Sequence, residues 1–99
     1  MIMFVILYIP FPDEAHNIIG GMIQFNEKTK QYNILIDSRQ SEEQQLFTLK
    51  HEFGHVMLGH LEDSSKPTII KESEADDYAH AMTDAFFDAF MSLSEVIHC

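Results

Sequence analysis

The chain has 99 residues, 45% hydrophobic and 22% charged, a balance that suits one packed domain over 1–99 and leaves no room for an appended DNA-binding or sensor module. Its 16 acidic side chains against 6 basic ones give a net charge of -10, which excludes a phosphate-backbone footprint, because that binding needs clustered Lys and Arg. The single cysteine, Cys99, excludes an intrachain disulfide framework and points to a reducing cytoplasm; at the end of the chain it is no candidate nucleophile.

Residues 2–9 form an apolar run. It is about half the length of a bilayer span and lacks the basic leader and small-residue cleavage site of a secretory signal. The stretch Met3 to Ile9, rich in β-branched and aromatic types and stopped by Pro10 and Pro12, reads instead as a strand buried on both faces. Gly20-Gly21 opens a second run through Phe25, Asn26 to Gln31 reverses the chain, and Tyr32 to Asp37 supplies a third strand. The expected product is a small three-stranded sheet, antiparallel or mixed, with the second and third strands as a hairpin.

Ser41 with Gln44 three residues on fits a capping box, and Glu42 and Glu43 suit the positive end of a helix dipole. A helix is predicted from about 42 to about 60. Leu46, Leu49, Phe53, Val56 and His60 recur at spacings of three and four and mark its sheet-packing face, with His51, Glu52 and His55 off that stripe. Residues 62–67 form a loop, and helical periodicity resumes near Ile70. From Ala75 through Ala79, Met82, Phe86, Phe90 and Leu93 to Ile97 runs one apolar stripe, predicting a long C-terminal helical segment, either one helix or two joined near Thr83. Phe87 and Met91 fall beside this stripe, and the aromatic cluster reads as core or as an exposed patch for a partner. The fold class is α+β.

The chemistry lies in His51-Glu52-Phe53-Gly54-His55. Histidines four apart on a helix project two imidazoles to one side, the geometry that grips a tetrahedral zinc ion. Glu52 lies beside the metal without being aimed at it, where a carboxylate serves as general base toward the attacking water. Gly54 in mid-helix costs about 1 kcal/mol, which implies close approach of another element. A hydrolytic zinc wants a third protein ligand. The following helix offers Glu72 first and Glu74 in reserve, the two separated by about 200° of helix rotation.

The stretch Phe47 to His60 resembles the core of the ImmA/IrrE metallopeptidases. Glu72-Ser73-Glu74-Ala75-Asp76-Asp77-Tyr78-Ala79 is similar to that family's second motif, in which a glutamate is followed three residues on by alanine, then Asn or Asp, an aromatic and another alanine. The likeness covers roughly residues 20 to 82. It implies a minimal zincin-like, gluzincin-like fold in which a three-stranded sheet packs on the His-Glu-x-x-His helix, with His51, His55 and Glu72 as zinc ligands and Glu52 as catalytic base. It also implies cleavage or inactivation of a helix-turn-helix repressor of a mobile element. The chain departs from the family in starting directly in a strand and in carrying Met82-Thr83-Asp84-Ala85 where a Leu-Met-Pro-like end is usual.

The expected function is therefore a zinc-dependent endopeptidase with a protein or peptide substrate, held extended along the sheet edge, with no direct contact to nucleic acid or membrane. The alternative is a zinc-stabilised module that binds a repressor or other partner without cutting it. A hydrolase acting on a non-peptide substrate is a third reading, and a two-His, one-carboxylate site also suits iron. His60, Tyr78 and His80 are candidates for stabilising an oxyanion, none preferred; His60 equally reads as a helix-end histidine favoured by the dipole. His16 and His98 receive no role.

Overall fold

The computed structural model describes residues 3–93 and 95–98, with side chains through Ser92 except Phe90. Cys99, and with it the sequence argument from that thiol, lies outside the described residues. In chain order the elements are β1 (Met3–Ile9), α1 (Asp13–His16), β2 (Gly21–Asn26), β3 (Gln31–Asp37), α2 (Glu42–Met57), α3 (Thr68–Ala81), α4 (Asp84–Leu93) and β4 (Glu95–His98).

The sheet is mixed, with strand order β2-β3-β1-β4. β1 runs parallel to β3, with Ile6 opposite Ile34, and β2 and β3 form the expected antiparallel hairpin, with Ile23 opposite Ile34. Its turn is closed by Asn26, whose Oδ1 accepts the Lys28 and Thr29 amides, and Lys30 supplies the positive φ of 56°. The fourth strand, β4, lies parallel along the free side of β1, Met3 opposite Glu95, so Ile97 belongs to the sheet and not to a helical stripe.

Burial in β1 and β3 alternates. Phe4, Ile6, Tyr32, Ile34 and Ile36 are buried while their neighbours on the other face are only half covered. The expectation of a strand buried on both faces is thus corrected, because the described helices pack on one face only. Against that face α2 sets Leu49 and Phe53, flanked by the half-buried Leu46 and Val56. At about 1.5–3 kcal/mol for each fully buried large apolar side chain, this contact fixes the rotation of α2, and so the direction of everything on its opposite side.

Helix α2 starts where expected, the Ser41 hydroxyl accepting the Gln44 amide at 3.1 Å. It ends earlier than expected, at Met57. Gly59 adopts φ +72°, the Gly59 amide donates to the Val56 carbonyl and the His60 amide to the His55 carbonyl: a Schellman turn. His60 therefore lies beyond the helix, buried against His55 and not on the sheet-packing stripe. The second helical stretch breaks at Met82 and Thr83, where the Thr83 hydroxyl accepts the Phe86 amide. The break resets the helical phase. Phe87 becomes core, 5.5 Å from the Phe53 ring, and Phe86 is 61% exposed, the reverse of the uninterrupted stripe. Buried Lys50 holds this corner, donating to the Met82 carbonyl and to Asp84.

Asp37, at the end of β3, is fully buried and joins three segments. Its Oδ1 accepts the Phe11 and Arg39 amides, and its Oδ2 meets His16 Nδ1. Arg39 closes the arrangement by donating to the Phe11 carbonyl and to Asp13. The connection that carries the chain into β2 is thereby tied to the one that carries it into α2.

Candidate metal centre

Helices α2 and α3 pack antiparallel across the 58–67 connection, and they lie close together at Gly54. A Cβ there would stand 3.2 Å from two carbons of Tyr78 and 3.3 Å from the Ala75 Cα. The mid-helix glycine thus admits α3, as its spacing predicted, and small Ala75 completes the contact.

This packing brings Glu72 over the two histidines of α2. His51 Nε2 lies 3.1 Å from His55 Nε2 and 2.8 Å from Glu72 Oε2, while His55 Nε2 lies 3.3 Å from Glu72 Oε1. One ligand atom from each of the three falls within 4.8 Å of the others. Bonds of 2.0–2.1 Å in a tetrahedron place ligand atoms roughly 3.4 Å apart, so the spacing fits a metal of zinc's size.

The hydrogen bonds behind the two imidazoles suit the ligating tautomers. His51 Nδ1 is 2.7 Å from Asp76 Oδ1. A carboxylate only accepts, so Nδ1 donates to Asp76, and a metal at the site would take the Nε2 lone pair in place of the proton that Nε2 otherwise offers Glu72. His55 Nδ1 is 2.9 Å from His60 Nδ1, and His60 Nε2 is 2.9 Å from Glu74 Oε1. Glu74 also accepts from Lys66 at 2.8 Å, and these two hydrogen bonds hold its carboxyl below the usual range. His60 donates through Nε2 to Glu74; in its neutral form its Nδ1 accepts, and His55 then carries its proton on Nδ1 and turns Nε2 toward His51 and Glu72. A cation bound here would replace the protons that otherwise lie between the two Nε2 atoms and the Glu72 carboxylate. Burial lowers the pKa of His55, with Glu72 opposing and the neighbouring His51 and His60 rings reinforcing, so the neutral, ligating form is favoured.

Glu52 follows His51 on the buried side of the site and is 5% exposed. Burial pushes its carboxyl up to about 7, the His51 ring opposing and Glu72 adding to the rise. It sits between two cavities that flank the site. One, of about 450 Å³, is lined by Ile18, Ile19, Gln44, Phe47 and His51; the other, of about 320 Å³, by Met22, Ile23, His55, Leu61 and Lys71. Both share Ile19, Gly21, Glu52 and Glu72, so a groove passes the start of edge strand β2 on either side of the triad. The strand comes this close because Gly20 and Gly21 lack side chains: a Cβ would stand 2.6 Å from Gln40 Oε1 at the first and 2.8 Å from Thr48 Cγ2 at the second.

Glu74, the reserve ligand, stands outside the triad and anchors His60. Of the oxyanion candidates, His60 has both ring nitrogens engaged. Tyr78 packs into Gly54 and lines a cavity with Met82 and Phe86, away from the triad, and His80 lies tilted against Phe47 at 4.8 Å between ring centres. Sequence reasoning missed Asp76 as the partner of His51. Its signal was the four-residue spacing from Glu72, which puts both carboxylates on one helix face.

A mixed sheet, a helix bearing His-Glu-x-x-His and a glutamate from the next helix define a zincin-like, metallopeptidase-like domain. A family model for the IrrE N-terminal-like domain, Peptidase_M78, matches residues 4–94, and the chain belongs to that family; the match extends past the motif region to include β1 and α4. No curated protein and no solved structure gives a significant match. Among the described residues no helix is long and apolar enough to cross a membrane.

Proposed function

We propose that the protein is a zinc-dependent endopeptidase in which His51, His55 and Glu72 hold the metal and Glu52 is the general base. The observation that carries the reading is the convergence of two imidazole nitrogens and a carboxylate beside a buried glutamate, in a groove that follows an edge strand. A bound zinc ion supplies Lewis acidity, acidifying the attacking water and polarising the scissile carbonyl. Glu52 takes the proton from that water and returns it to the leaving amine. Its carboxyl lies beside both ligand rings, within reach of a water at the metal. Asp76 and His60 hold the two imidazoles in register. Glu72 spans both rings with its two oxygens.

An extended peptide laid against β2 crosses the triad, adding main-chain hydrogen bonds on the outer edge of the sheet. The resemblance to ImmA/IrrE proteins supports a protein substrate of the helix-turn-helix repressor class, met in the cytoplasm. The test is incubation of the zinc-loaded protein with a peptide library derived from a bacterial proteome, followed by mass spectrometry of new N-termini. Wild type yields chelator-sensitive cleavage and Glu52→Gln yields none. Equal cleavage by Glu52→Gln removes the glutamate from the base role, and absence of cleavage by wild type against both the library and candidate repressors favours the non-cutting binding module.

A further inference from the structure

We infer that His60 is a positioning residue for the metal centre, fixing His55 in the tautomer that ligates, and that the Gly59 turn exists to deliver it. The inference rests on the reading of His51, His55 and Glu72 as a metal site.

In a Schellman turn the residue after the left-handed glycine folds back on the residue three before the helix cap, usually as an apolar contact. Here those two positions are His60 and His55, and the contact is a hydrogen bond between their Nδ1 atoms at 2.9 Å. A histidine at this point of an ordinary helix end is solvated; His60 is 4% exposed. Its far nitrogen is held by Glu74, which is in turn held by Lys66, and its carbonyl accepts from Lys71. Both nitrogens of its ring are thus engaged, and when His55 ligates through Nε2 one placement remains: Nε2–H toward Glu74, and Nδ1 accepting from His55. His51 reaches a carboxylate directly through Asp76, whereas His55 reaches one through an intervening imidazole. The two ligands are therefore oriented by partners of unequal basicity, and His55 depends on a turn that lies outside its own helix.

The experiment compares wild type, His60→Leu and His60→Asn, each checked for folding by circular dichroism. Asparagine places an acceptor oxygen where Nδ1 stands; leucine fills similar space without one. Zinc affinity is measured by chelator competition at fixed pH. The expected result is a 10- to 100-fold loss in His60→Leu and substantial recovery in His60→Asn. Equal affinities for all three, with wild type binding zinc, overturn the positioning role while leaving the metal site intact. Failure of wild type to bind zinc overturns the site reading itself. The second readout needs no variant: long-range proton–nitrogen NMR on zinc-loaded, nitrogen-15 wild type. His60 is expected as the Nε2–H tautomer; an Nδ1–H tautomer or an imidazolium contradicts the inference.

Discussion

Gly54 of α2 and Ala75 of α3 meet so closely that a Cβ on the glycine would stand 3.3 Å from the alanine's Cα. That contact sets the distance between the helix that carries both histidines and the one that carries Glu72. Gly54→Ala gains about 1 kcal/mol of helix propensity but has to displace Tyr78 or the α3 backbone, an overpacking cost of about 1–3 kcal/mol. The expected outcome is a variant of equal or lower stability with clearly weaker zinc binding, because α3 moves away from the imidazoles. Urea unfolding and chelator competition on the same preparation check both halves.

Glu52 links the candidate metal site to stability. Its carboxyl ionises near the ordinary 4.5 in the unfolded chain and, through burial, at about 7 in the folded, metal-free one. The folded state therefore binds the extra proton between these values, and metal-free stability falls as pH rises through that window. Glu52→Gln removes the penalty. At pH 8 the metal-free variant is expected to be more stable than wild type by about 2–3 kcal/mol, and at pH 4 the two converge. Denaturant midpoints at the two pH values measure the difference.

Asp37 has the opposite sign. Burial opposes its ionisation, but the hydrogen bonds from His16 and from the Phe11 and Arg39 amides outweigh it and hold the carboxyl at about 2. Stability from this group is complete above the ordinary carboxylate value and is lost as pH falls from about 4 toward 2. Asp37→Asn is expected to melt lower than wild type at neutral pH, and the gap between them narrows through that acid window. Thermal melts from pH 6 down to pH 2 follow the convergence.

The sequence carried the parts of this protein that depend on local pattern. The Ser41 cap, the β2–β3 hairpin and the Leu46, Leu49, Phe53 and Val56 stripe of α2 all rest on spacings within one element, and the motif on the next helix marked Glu72, which the fold brings beside His51 and His55. What escaped it depends on packing between elements. The Phe90, Leu93 and Ile97 spacing reads as helix, yet β1 offers an unpaired edge, and pairing with that edge makes a strand of Glu95 to His98. The phase change that buries Phe87 instead of Phe86 follows from a two-residue break at Met82 and Thr83 that leaves the apolar spacing nearly intact. Asp76, Glu74 and His60 are ordinary helix and turn residues until α3 is docked on α2, when each acquires a partner. Asp37 showed no pattern at all, since its contacts arrive from Phe11, His16 and Arg39 through chain connections without periodicity.

The measurement that tests the central claim most directly is metal content per chain by elemental analysis, for purified wild type beside His55→Ala and Glu72→Gln, after reconstitution with zinc and removal of excess. The account predicts one zinc per wild-type chain, with loss or severe weakening in both variants. A wild type that holds no zinc, or variants that hold as much as wild type, would contradict it.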